Sequence, residues 1–77
     1  MTSTHTQPIG GMTGNEFARA SAHAIEMDDE SLAYVIDDLS GVIEAQEAMH
    51  AAGNSTPKLG FYIDHRHILL GERRDRR

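Results

Sequence analysis

Between Ser31 and Ala52 the apolar residues Leu32, Val35, Leu39, Val42 and Met49 return in steps of three and four, or their sum, which lines them along one side of an α-helix. Ile36 and Ile43 sit one position past two of those steps and widen the apolar arc beyond a bare two-position seam, so the arc demands burial. A helix of this span is about 33 Å long. Gly41 lies in its middle at a cost of up to ~1 kcal/mol relative to alanine, which predicts a close helix approach or a slight bend there. Gly53 and Asn54, both tolerant of the left-handed conformation, mark its end.

Upstream, Thr13 followed three residues later by Glu16 fits a capping box and predicts a short helix to about Met27. Its apolar side holds Phe17, Ala20, Ala24 and Met27 with Ile25 beside them, a narrow and mostly small face suited to lying against a larger neighbour. The run Asp28-Asp29-Glu30 then interrupts the pattern and places negative charge, with a cap candidate, at the positive end of the next helix dipole. Residues 1–12, with Pro8 and the Gly10-Gly11 pair and no periodicity, read as a disordered arm before a single helical domain over 13–77.

Downstream, Thr56 is placed to cap and Pro57 to open a third helix, running to about Arg74, where Arg73 and Arg74 meet the negative end of the dipole. Leu59, Ile63 and Leu70 fall near helical spacing, with Tyr62 flanking. A β-hairpin across Leu59 to Leu70 competes, since Leu59–Ile63 and His67–Leu70 are short and apolar. An isolated hairpin is marginal in water, and the Thr-Pro start and basic end suit a helix, so the expected class is all-α. The expected architecture is the short N-terminal helix leaning on an antiparallel helical hairpin. Its core would be Leu32, Val35, Ile36, Leu39, Val42, Ile43 and Met49 against Leu59, Tyr62, Ile63 and Leu70.

A chain of 77 residues has room for one domain, and a domain near this size buries only about 60% of its unfolded surface. With no cysteine to supply a disulfide or thiolate site, self-association is the natural compensation, and two helices cannot cover so broad an arc. A homo-oligomer is expected, most simply a dimer. No apolar run reaches the length of a membrane span and the first residues lack the pattern of a secretory signal, which points to the cytoplasm.

The stretch from Leu32 to Arg77 resembles a loose class of small proteins encoded by bacteriophages and other mobile elements. Tyr34, Ile36, Asp38, Gly53, Asn54, Pro57, Lys58, Gly60, Tyr62, Asp64 and the arginines from Arg73 carry the resemblance, which covers about three-fifths of the chain. His65 and His67 depart from the class pattern. The resemblance implies a phage-type accessory protein acting in the host cytoplasm, with a helical C-terminal segment and no assigned activity.

The net charge of -5 hides an asymmetry: nine carboxylates and one cation precede Lys58, while three carboxylates and six cations lie from Lys58 onward. Glu30, Asp37 and Glu44 recur every seven residues and form one polar row, with Asp38 adjacent. That row is either a solvated face or an acidic surface that imitates a phosphate row and occupies a host site. Arg73, Arg74, Arg76 and Arg77 are candidates for nucleic-acid contact or for pairing with the acidic row of a neighbouring chain. His65 and His67, after Asp64, could share a metal only on a strand; on a helix they diverge by about 200°. No phosphate loop, paired nucleophile and base, or pocketed carboxylate pair is evident, so neither enzyme nor cofactor is expected. The leading expectation is a non-enzymatic inhibitor of a host protein or complex, of the anti-defence (such as anti-CRISPR) or host-takeover kind, using Glu30, Asp37, Asp38 and Glu44. A nucleic-acid-associated protein using the C-terminal arginines and a metal-binding protein using His65 and His67 are the alternatives.

Overall fold

The computed structural model describes residues 11–76, and all regular structure among them is helical. Three helices follow in order: α1 (Gly14–Glu26), α2 (Asp29–Ala51) and α3 (Leu59–Asp75). The β-hairpin alternative for Leu59 to Leu70 is therefore set aside, because that segment lies within α3.

Local chemistry fixes most of the boundaries. The capping box at α1 is formed: the Thr13 hydroxyl accepts the Glu16 N–H at 3.1 Å, and the Glu16 carboxylate accepts the Thr13 N–H at 2.9 Å. Met27 is extended, which breaks the chain before α2. The Asp28 carboxylate accepts the Ser31 N–H at 2.7 Å, and that bond, with help from the Ser31 side chain, lowers the Asp28 pKa. At the far end of α2, Gly53 adopts φ 91° and its N–H donates to His50 O at 3.0 Å, while the Asn54 N–H donates to Met49 O at 3.0 Å. Those two bonds make a Schellman cap, for which Gly53 supplies the left-handed residue.

The start of α3 differs from the sequence expectation. Thr56 is buried rather than capping, and its hydroxyl lies 3.2 Å from His50 Nδ1 at the end of α2. Pro57 and Lys58 form a turn, and the helix opens at Leu59 without a side-chain cap. The Thr56 hydroxyl serves the loop instead, since a buried hydroxyl needs a partner more than an exposed helix end does.

Packing differs in a more consequential way: α3, not α2, is the central helix. Both α1 and α2 pack against α3, while α1 and α2 barely meet. One continuous core contains Ala24 of α1, Leu32, Ile36 and Leu39 of α2, and Ile68 and Leu69 of α3. Ile43, Leu59 and Thr56 are buried towards the loop between α2 and α3. Adjacent residues of a helix point about 100° apart, so burial of both Ile68 and Leu69 requires neighbours on two sides of α3. Of the expected α3 core only Leu59 is fully buried; Tyr62, Ile63 and Leu70 are half-buried.

On α2 the buried set is Leu32, Ile36, Leu39 and Ile43, one half of the expected arc. Val35 and Val42 are half-buried and Met49 is 43% exposed, because α1 sits on α3 instead of closing over that half. Gly41 also departs from expectation: a Cβ built there meets nothing within 4 Å, so no helix approaches it closely. On α1, Phe17 and Ile25 are exposed, and Ala24 alone is fully buried. Residues 1–10 of the expected arm lie outside the described residues. Met12 is half-buried against the core, and its N–H donates to Asp64 Oδ2 at 3.0 Å.

Candidate functional site

Because α2 is buried along Leu32, Ile36, Leu39 and Ile43, residues on the flank of that seam border its junction with α3. The start of α2 lies beside the end of α3, where Arg76 meets Asp29, and the two middles meet where Arg66 donates to Ser40. Two open depressions that share Asp37 and Ser40 follow one another along this junction and together make a groove. Its first stretch, about 580 Å³, is lined by Glu30, Tyr34, Asp37, Ser40 and Arg73 among others. Its second, about 530 Å³, is lined by Asp37, Ser40, Gly41, Glu44, Glu47 and Arg66 among others.

The groove therefore has an acidic wall from α2 and two cations from α3. Glu30, Asp37 and Glu44 line it together, as their spacing of seven predicts, whereas Asp38 is absent from both lining sets. Asp38 lies about 100° further round α2 than Asp37, on the side away from Glu30 and Glu44. Glu30, Asp37, Asp38 and Glu44 are all exposed, and among the described residues none has a cation within 4.0 Å. Tyr34, 71% exposed, adds an aromatic surface at one end.

Arg66 is half-buried mid-groove, donating to the Ser40 hydroxyl at 3.4 Å, while that hydroxyl donates to Ile36 O at 2.9 Å. Its role was missed from sequence, although it precedes Arg73 by the same seven-residue step that relates the carboxylates. Arg73 lines the groove level with Glu30 and Asp37.

The remaining arginines go elsewhere. Arg76 ties three helices together: its Nε donates to Glu72 at 2.9 Å, its Nη1 to Asp29 at 2.7 Å, and its Nη2 to Ala24 O at 3.0 Å and Met27 O at 2.7 Å. A cation at the carbonyl end of α1 suits that helix dipole. The bonds to Asp29 and then Glu72 raise the Arg76 pKa, so the charge is held. Arg74 is exposed, and Arg77 lies outside the described residues.

The histidines separate. His65 opens on a groove of about 390 Å³ between α1 and α3 with His23, Glu16, Arg19 and Phe61, whereas His67 opens on a different one with Phe17, Ser21 and Gly71. Burial first, and the charge of His23 second, lower the His65 pKa. Among the described residues no three His, Asp or Glu side chains converge as metal ligands would. No helix among them is long and apolar enough to cross a membrane.

No protein-family model matches this chain, and neither the curated proteins nor the solved structures contain a match to it.

Proposed function

We propose that this chain is a small non-enzymatic protein of phage type that binds a host protein or complex and blocks it through the acidic side of α2. The observation that carries the reading is the row Glu30, Asp37 and Glu44, three exposed carboxylates in one groove with no ion pair among the described residues. Unpaired charge of one sign along a groove attracts a complementary surface and speeds its encounter. The partner in this reading presents a basic helix or strip to the groove, with α2 and α3 acting as an antiparallel helical hairpin that holds the row straight. The reading includes self-association in the host cytoplasm, since Val35, Val42 and Met49 are left incompletely covered.

Nucleic-acid association through the C-terminal arginines is the weaker reading: Arg76 is engaged within the fold and Arg73 stands in an acidic groove that repels phosphates. The test is a nuclease-treated pull-down from bacterial lysate, comparing the native chain with Glu30→Lys/Asp37→Lys/Glu44→Lys. A protein partner recovered by the native chain and lost with the variant supports the reading. Equal recovery by both sinks it.

A further inference from the structure

The two charged rows bordering the groove match in pitch and in level. Glu30, Asp37 and Glu44 on α2, and Arg66 and Arg73 on α3, each repeat every seven residues, about 10.5 Å along a helix. Arg73 lines the stretch that holds Glu30 and Asp37, and Arg66 the stretch that holds Asp37 and Glu44. Yet among the described residues neither arginine has a carboxylate within 4.0 Å. The two rows supply both signs at the same heights but, among the described residues, are not joined to each other.

We propose that this groove is the face on which a second copy of the chain docks, through a two-fold axis running along the groove parallel to α2 and α3. Such an axis leaves heights along the helices unchanged and exchanges left for right, so it carries α2 of one copy over α3 of the other. Glu30 and Asp37 of each copy then stand over Arg73 of its mate, and Asp37 and Glu44 over Arg66. The contact is isologous, as closed dimers require, and places antiparallel helices as neighbours around a four-helix arrangement. An axis perpendicular to the helices within the face would instead lay α2 on α2 and oppose carboxylate to carboxylate.

Tyr34, 71% exposed beside Arg73 in the groove, is the apolar residue on this face suited to anchor the contact. Exposed ion pairs each contribute little, so charge here selects the mate and sets the register more than it adds affinity. The inference deepens the reading of the acidic row as a binding surface, and it implies that self-docking and partner binding exclude each other.

The test is sedimentation velocity on the purified full chain, without lysate, up to about 100 µM in low salt. Three chains are compared: native, the basic-row variant Arg66→Glu/Arg73→Glu, and the acidic-row variant Glu30→Lys/Asp37→Lys/Glu44→Lys, each with its helix content checked by circular dichroism. The native chain is expected to dimerise, each variant alone to self-associate about tenfold more weakly or worse, and an equimolar mixture of the two variants to recover a mixed dimer. Should Arg66→Glu unfold the chain, Arg73→Glu alone, at an exposed position, replaces it with the same expectation. A native chain that stays monomeric overturns the proposal, as does a dimer indifferent to both charge reversals. Either result leaves the pull-down standing, so failure of this inference and failure of the functional reading are read separately.

Discussion

Two glycines of the same chain should respond to alanine with opposite signs. Gly41 sits inside α2, and a methyl group there meets nothing within 4 Å. Alanine at that site therefore adds no clash and removes unfolded-state freedom, stabilising the fold by roughly 0.5–1 kcal/mol. For a domain this small 1 kcal/mol corresponds to about 4–8 °C in Tm, so a rise of roughly 2–8 °C is expected. Gly53 is equally uncrowded, but its φ of 91° lies where a Cβ collides with its own backbone. Alanine there strains the Schellman cap by about 1–2 kcal/mol, partly offset by the same entropic gain, and Tm should fall by several degrees. The assay is thermal unfolding, with urea unfolding beside it for the free energy, followed by far-ultraviolet circular dichroism at low micromolar concentration in moderate salt so that a second copy is dissociated. A Gly41→Ala chain no more stable than native would refute the finding that Gly41 faces open space, and a neutral Gly53→Ala would refute the assigned cap.

Leu69 is 1% exposed on the helix that both others pack against, so Leu69→Ala should cost about 2–5 kcal/mol and leave little cooperative unfolding transition; a Tm within a few degrees of native would contradict the central place given to α3. Arg76→Ala should speed amide exchange across α1 while leaving that of Leu39 and Leu69 unchanged, because Arg76 binds the carbonyl end of α1; exchange altered evenly over the whole chain would count against a clamp. His65 bears a lowered pKa and is faced from α1 by His23, Glu16 and Arg19. A depressed histidine binds its proton more readily when unfolded, so stability should hold above the ordinary value of about 6.5 and fall as pH drops from there towards the folded value. In His65→Gln that slope should flatten, and an unchanged pH profile would remove His65 as its source.

The three helices, and the ends of α1 and α2, were legible residue by residue. Thr13 with Glu16, the acidic run at Asp28, and Gly53 with Asn54 each satisfy backbone groups within a few residues of themselves, and such local bonds need no knowledge of the rest of the fold. The alignment of Glu30, Asp37 and Glu44 followed from the helix period alone. Thr56 misled because a residue suited to cap is equally able, once buried, to take a histidine ring as its partner, and only the path of the loop decides which.

What the sequence determined by itself is thus the set of helices, the caps of α1 and α2 and the apolar side of α2. Which apolar residues are buried was decided by tertiary structure, because periodicity records that a face needs cover and not which neighbour supplies it. By placing α1 on α3, the fold buried Ile68 and Leu69 together, left Val35 and Val42 half-covered, and made the last helix the centre of the molecule. The same packing turned Arg76 inwards to the end of α1 and set Arg66 and Arg73 beside the acidic row. Charge positions across a helix junction depend on the relative height of two helices, which no single segment encodes.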